Sequence, residues 1–312
     1  MQPRATIVIT TKNRKDDLAQ ALESCCAQEG FDQGQIEVLV IDDGSDDGTM
    51  DMVKSRFPRV RLHREDVSKG LIVERNNGAR LASAPIVISL DDDCTLPSPR
   101  IILDTLADFD HPRVGAVAMP FREPRGSNAV LCAPPDREGV WCTWTYNGCS
   151  HAVRKDLFLK LGGYFEPLYQ YKEEVDYCAR MLDHGYVVRM GRADVTLHHV
   201  TPTTRPKARH RYHESRSTMM FAWRNTPMPY LLAHLAAATL REAKMYQRKG
   251  NLKATIKGTV MGHIDGVRHL GVRGPISRNT YRAILAMKRS GTPAAWPGLP
   301  FEKVEPLISA PR

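Results

Sequence analysis

Two apolar runs in this chain end in carboxylates. Ala84-Pro85-Ile86-Val87-Ile88-Ser89-Leu90 leads directly into Asp91-Asp92-Asp93, and Ile36-Glu37-Val38-Leu39-Val40-Ile41 leads into Asp42-Asp43. Short apolar runs of this kind, rich in β-branched residues, read as buried strands. Carboxylates at the end of a buried strand are costly unless positive charge meets them. The usual partner is a divalent cation carrying phosphate oxygens. Two strands delivering acids to one edge of a sheet therefore point to a nucleoside-diphosphate site at the carboxyl ends of the strands.

The neighbouring segments supply the rest of such a sheet. Thr6-Ile7-Val8-Ile9-Thr10 reads as a first strand buried on both faces, followed by a helix over 16–28 with Leu18, Ala21, Leu22 and Cys25 at helical spacing. A turn rich in capping residues (Asp43 to Thr49) precedes a helix to about Arg56; a short strand over 60–63, a helix over 71–82 and the strand over 85–90 follow. This alternation predicts a parallel α/β sheet. Further on, the pattern predicts helices over 101–109, 153–161 and 172–184 and strands over 114–119, 186–190 and 194–198. The predicted division is a catalytic unit over 1–204, with a nucleotide-binding half (1–97) and an acceptor half (98–204), and a basic, mainly helical extension over 205–312.

Charge separates along the chain. Residues 201–312 hold 20 Lys+Arg against 5 Asp+Glu, so residues 1–200 carry a net −6 of the chain's overall +9. The acidic part suits a metal, and the basic part suits phosphates or anionic lipid. Seven cysteines without a CxxC pair read as reduced thiols of a cytoplasmic chain. No signal peptide is read, and no segment reaches the ~20 apolar residues of a membrane span; Met228 to Leu240 is the nearest.

The order of motifs resembles the family-2 glycosyltransferases, the GT-A group that includes rhamnosyl- and N-acetylhexosaminyl-transferases, over about residues 5–225. Five pieces carry the resemblance: Val8 to Arg14; Val40 to Thr49; Glu74-Arg75-Asn76-Asn77-Gly78; Leu90 to Asp93; and Leu161-Gly162-Gly163-Tyr164-Phe165 followed by Lys172-Glu173-Glu174-Val175-Asp176. The resemblance implies a GT-A fold and an inverting transfer of sugar from a UDP- or dTDP-sugar to an acceptor hydroxyl. The expected acceptor is a glycan, a glycolipid or a small molecule, in cell-envelope polysaccharide or glycolipid assembly.

The same resemblance assigns roles. Asp43 accepts the base N–H of uracil or thymine, and Thr10 and Asn13 belong with the donor nucleotide. The family often covers the base with an aromatic residue where this chain has Lys12. Lys69 or Arg75 neutralises the departing diphosphate. Asp91 faces the ribose, Asp92 helps to place the sugar, and Asp93, with His198, holds Mg²⁺ or Mn²⁺. Glu174 is the matching general base, longer than the family's usual Asp, and Glu173 is its alternative. Trp141, Trp144 and Tyr146 line the sugar or pack in the core.

In the basic extension, Arg205 to Arg216, the later Arg241, Lys244, Arg248, Lys249, Lys253 and Lys257, the apolar Met219, Met220, Phe221 and Trp223, and the run Met228 to Leu240 together fit a peripheral contact with the anionic inner face of a membrane. No nucleic-acid motif accompanies the charge. Two other classes are weighed. A nucleotidyltransferase needs a Gly-rich loop after the first strand, which Thr10-Thr11-Lys12-Asn13-Arg14 lacks. A non-catalytic binding module of the same fold has no need of Asp91, Asp93 and Glu174.

Overall fold

The computed structural model describes residues 2–200, 207–249, 251–291, 293–296 and 299. In chain order the first half contains β1 (Ala5–Thr11), α1 (Lys15–Cys26), β2 (Ile36–Asp42), α2 (Thr49–Arg56), β3 (Arg61–Arg64), α3 (Leu71–Leu81), β4 (Ile86–Asp91), β5 (Cys94–Thr95), α4 (Ile101–Ala107) and β6 (Val114–Ala118). There follow β7 (Phe121–Arg122), β8 (Val130–Leu131), β9 (Trp141–Thr143), β10 (Ser150–Arg154), α5 (Lys155–Lys160), α6 (Glu173–Asp183), β11 (Val187–Met190) and β12 (Thr196–His198). The extension is helical: α7 (Lys207–Asn225), α8 (Leu231–Lys249), α9 (Leu252–Arg268) and α10 (Arg278–Ser290), with a short β13 (Ala294–Ala295). The predicted boundary at 204/205, Arg205 itself and the predicted helix break at Gly250 lie outside the described residues.

The main sheet has the order β13-β9-β11-β6-β10-β4-β1-β2-β3. Strands β4, β1, β2 and β3 are parallel, as the alternation predicts. The sheet as a whole is mixed, because β10 runs antiparallel between β4 and β6. That corrects the helix predicted over 153–161. The strand continues to Arg154 and the helix begins at Lys155; Ser150 and His151 hide the strand's apolar signal, yet every residue of β10 is buried. Their polar atoms are satisfied internally: His151 Nδ1–H donates to the Asn147 carbonyl (3.0 Å) and Ser150 Oγ bonds Thr196 Oγ1 (3.2 Å).

Alternate residues of the central strands feed two cores. Ile7, Ile9, Val38, Val40 and Ile88 pack with Leu18 and Leu22 of α1 and Ile101 of α4. Val8, Leu39, Ile41 and Val87 pack with α3, α5 and α6 through Ile72, Phe158, Tyr177 and Met181. A strand covered on both faces must be apolar at every position, which explains the unbroken runs. Helix α3 lies so close to β1 that a β-carbon at Gly78 would stand 2.3 Å from Val8 Cγ1.

Register sets the height of the acids. Thr10 lies beside Asp91 across the β1–β4 pair, and Thr11 beside Asp42 across β1–β2. A second sheet, β5-β12-β7-β8, aligns His198 with Cys94 and so brings β12 against the acidic triplet.

Candidate active site

At the β1 and β2 end, the Asp42–Thr49 turn is tied to the loop after β1. Asn13 N–H donates to Ser45 Oγ (2.9 Å), and Asn13 Oδ1 accepts from Asp46 N–H (2.8 Å). Asp43, 7 % exposed, accepts from Ser68 Oγ and Lys69 N–H, each at 2.6 Å, and from Gly70 N–H at 3.2 Å. The carboxylate thus fixes the Ser68–Gly70 loop against the turn. The Lys69 ammonium is exposed and pairs with Glu65 (2.6 Å), whose carboxyl it holds below the ordinary range.

The triplet splits into three environments. Asp91 pairs with Arg75 (Oδ1 to Nη2, 2.7 Å). Asp92 is turned into the protein, accepting from Thr11 Oγ1 (2.8 Å) beside Arg14 (3.2 Å). Burial, only partly offset by Arg14 and Thr11, raises its carboxyl to about 7. Asp93 meets Arg14 Nη2 (2.9 Å) on one oxygen and His198 Nε2 (3.4 Å) on the other. Burial of His198 disfavours its charge, but the bond to Asp93 and the nearby Asp91 and Glu123 outweigh this and raise its pKa.

Asp93, Cys94 and His198 offer ligand atoms within 4.8 Å of one another. A carboxylate and an imidazole suit Mn²⁺, and Mg²⁺ takes the carboxylate. Burial keeps the Cys94 thiol well above its ordinary pKa, so it remains protonated and is a poor match for either ion. His198 Nδ1 has no hydrogen-bond partner, although Glu123 Oε1 stands 3.4 Å away. The donor set fits a hard or borderline divalent cation on Asp93 and His198.

Arg75 joins the triplet to the start of α6. Its guanidinium, 5 % exposed, reaches Asp91, Glu173 (3.3 Å) and Glu174 (3.4 Å), and donates to the Gly148 carbonyl (2.9 Å). Glu173 is 3 % exposed and its Oε2 lacks a hydrogen-bond partner; burial and the adjacent Glu174 raise its pKa. Both glutamates line a cleft of about 330 Å³ with Arg75, Asp91, Gly148 and His198. Thr10, Asn13, Asp43, Lys69, Asp92 and Asp93 lie outside its wall.

Of the two roles expected for the aromatic segment, Tyr146 and Trp144 take the packing one. Asn147, Gly148 and Cys149 line the cleft. Tyr146 is buried, stacked on His151 with ring centroids 4.1 Å apart, and Trp144 lies under the Lys288 ammonium (4.1 Å). Core packing and cation–π contact occupy these rings.

Four residues without an assigned role in the sequence reading belong to the site. Arg14 neutralises Asp92 and Asp93; it stands in the first motif, the one signal for it. Tyr171 and Lys172 line the cleft and hold φ values of +68° and +69°, costly conformations for side-chain-bearing residues. Glu214 reaches the cleft from α7. Helix α7 secures the loop before Glu173: His210 bonds Tyr171 OH (2.5 Å), Arg209 donates to Tyr169 OH (2.8 Å) and Ser217 Oγ donates to the Gln170 carbonyl (2.7 Å).

Comparison with known proteins agrees with this arrangement. The family model for glycosyl transferase family 2 matches residues 6–141, the stretch that supplies Arg75 and the acidic triplet. Validoxylamine A glucosyltransferase of Streptomyces hygroscopicus subsp. limoneus is 36% identical over 120 residues, covering 38% of this chain and 26% of that one. The matched stretch thus spans about a quarter of the length of this relative, and 28% of its counterpart from subsp. jinggangensis. N-acetylglucosaminyl-diphospho-decaprenol L-rhamnosyltransferase of Mycobacterium tuberculosis is 27% identical over 249 residues, covering 63% of this chain and 80% of that one.

Among solved structures, the mannosyltransferase PcManGT of Pyrobaculum calidifontis, in complex with GDP-Man and Mn²⁺, superposes with TM-score 0.57 at 21% identity, covering 86% of this chain and 87% of that one. S. aureus TarS 1–349 superposes with TM-score 0.59 at 14% identity, covering 97% and 100%. The mixed sheet, the acids at its strand ends and these matches agree: the chain has the GT-A fold, and its residues 6–141 match glycosyl transferase family 2.

Proposed function

We propose that the chain is an inverting glycosyltransferase that moves a sugar from a UDP- or dTDP-sugar to an acceptor hydroxyl. The observation that carries this reading is the convergence of Arg75, Asp91, Glu174 and His198 on one cleft. Residues 1–204 form the catalytic unit, and α7 beyond it braces the loop before Glu173.

In this reading Asp43, Thr10 and Asn13 hold the nucleoside end of the donor, and Asp91 faces its ribose. Asp93 and His198 would hold Mg²⁺ or Mn²⁺, which when bound would supply charge stabilisation for a diphosphate leaving group. Lys69 exchanges Glu65 for phosphate. Arg75 fixes the Glu174 carboxylate beside Gly148. Glu174 then takes the proton from the acceptor hydroxyl as that oxygen attacks the anomeric carbon. The anomeric C–O bond to phosphate breaks, the nucleoside diphosphate leaves with the electron pair, and a single displacement inverts the configuration. Glu173, more deeply buried and disfavoured as an anion, supports Glu174 from behind.

The mycobacterial relative is named for N-acetylglucosaminyl-diphospho-decaprenol, a lipid-linked acceptor. Together with the basic extension, it favours a glycan or glycolipid acceptor at an anionic membrane face, in cell-envelope assembly, over a free small molecule. The test is metal-dependent release of nucleoside diphosphate from UDP- and dTDP-sugars. Glu174→Gln is expected to retain donor binding and to lose turnover by a factor of 10² or more, on the order of what a general base contributes. Full turnover in Glu174→Gln would refute the assigned base.

A further inference from the structure

The membrane contact read from the sequence falls on α7, α8 and the start of α9, but much of the α7 surface is used internally. Met219 and Met220 are buried, Arg211 is buried against Glu242, and Arg216 pairs with Asp265 at 2.7 Å. Met228, Leu232 and Leu240 of the predicted run are exposed, and the longest exposed apolar row lies on α9. Leu252, Ile256, Val260, Ile264 and Val267 are 45%, 54%, 50%, 39% and 50% exposed, and Leu270 and Val272 (46% and 55%) continue it past the helix end.

The reason is the opposite face of α9. Gly258, Gly262 and Gly266 recur every four residues and face α7. A β-carbon there would stand 2.3 Å from the Tyr212 carbonyl oxygen, 2.5 Å from the Arg216 carbonyl oxygen and 2.2 Å from Trp223 Cδ1. The helix therefore buries its glycines and turns its branched side chains outward. That is the inverse of an ordinary amphipathic helix of a soluble domain. A solvent-facing stripe of five large aliphatic residues on one helix marks an interaction surface.

Charge identifies the occupant. At 100° per residue, Lys257 and Arg268 fall along one edge of the aliphatic stripe and Lys253 falls within it near that edge, and all three are exposed. Among the described residues from 207 onward, the acids Glu214, Glu242 and Asp265 each pair with an arginine, so no unpaired carboxylate offsets this edge. A second copy of the chain would set one cationic edge against another. An anionic bilayer satisfies both parts at once, aliphatic side chains entering the acyl boundary and lysines meeting lipid phosphates. No helix among the described residues is long and apolar enough to cross a membrane, so this helix would lie along the surface.

We propose that the outer face of α9 docks the protein on an anionic bilayer. The inference deepens the acceptor reading above, but its test needs no catalysis. The wild-type chain is sedimented with phosphatidylcholine vesicles, with and without phosphatidylglycerol, at low and raised salt. Binding is expected only with phosphatidylglycerol and weaker at raised salt. Lys253→Ala with Lys257→Ala should weaken it about thirtyfold, from the contribution of each surface lysine. Ile256→Ser with Val260→Ser should weaken it at least tenfold.

Failure of the wild type to bind, or binding unchanged in both double variants, would overturn the proposal. So would a concentration-dependent dimer in sedimentation velocity that Ile256→Ser with Val260→Ser dissolves, because a second copy would then cover the face. Metal-dependent nucleotide binding, measured without vesicles, should be unchanged in these variants. The docking and the glycosyl-transfer readings can therefore fail separately.

Discussion

Gly148 stands against the carboxylate of Glu174: a β-carbon at 148 would lie 2.1 Å from Oε1 and 3.2 Å from Arg75 Nη1. The absence of a side chain at 148 thus sets where the proposed base sits. Gly148→Ala should push Glu174 aside while leaving the fold intact, since the obstructed atom is the end of a flexible side chain. Turnover is expected to fall about 10²-fold, the effect of a displacement near 1 Å, with nucleotide affinity preserved. Steady-state kinetics beside calorimetric binding checks this; equal loss of both would place Gly148 in donor binding instead.

Arg75 is the sole cation recorded in contact with Asp91, Glu173 and Glu174 among the described residues. Arg75→Met removes that charge and leaves three carboxylates crowded in and beside the core. Breaking a buried ion pair from one side costs about 3–5 kcal/mol. Urea denaturation should show a loss of that size, and Arg75→Lys, which keeps charge without the fork, should recover part of it.

His151 gives a stability dependence on pH. Its ring is buried and stacked on Tyr146. Nδ1–H donates to Asn147, so Nε2 accepts from Tyr164 OH (2.8 Å), which in turn accepts from Tyr146 OH (3.0 Å). Burial, with Arg75 nearby, lowers its pKa to about 3. The unfolded chain takes up this proton near pH 6.5. Stability from this site is therefore complete above ~6.5 and declines by about 1.4 kcal/mol per pH unit as pH falls below it. Glu173, whose folded pKa is raised, acts in the opposite sense between its unfolded value and its folded one. The informative comparison is thus wild type against His151→Gln: below pH 6 the wild type should lose stability more steeply. Parallel curves would contradict the assignment.

Some of this site could be read in the chain. Asp42-Asp43 and Asp91-Asp92-Asp93 announce themselves because each follows a run that only a doubly covered strand explains. The pairing of Arg75 with Glu173 and Glu174 spans nearly a hundred residues, and only the order of motifs hinted at it. The insertion of β10 was hidden because His151 and Ser150 are polar yet satisfied inside the sheet. The outer face of α9 was hidden for the opposite reason: aliphatic residues at four-residue spacing read as a buried stripe, while the glycines that are buried carry no hydropathy signal. Tyr171 and Lys172 gave no warning of positive φ, since neither is a residue type that favours it.

The central claim, a metal-dependent nucleotide-sugar site at the strand ends, is tested most directly by calorimetric titration of UDP and dTDP, with GDP as comparator. Each is measured with and without Mn²⁺ on the wild type and on Asp93→Ala. The account predicts binding of UDP or dTDP that requires Mn²⁺ and is lost in Asp93→Ala while the variant remains folded. Metal-independent binding retained in Asp93→Ala, or no binding of any nucleotide by folded wild type, would contradict it.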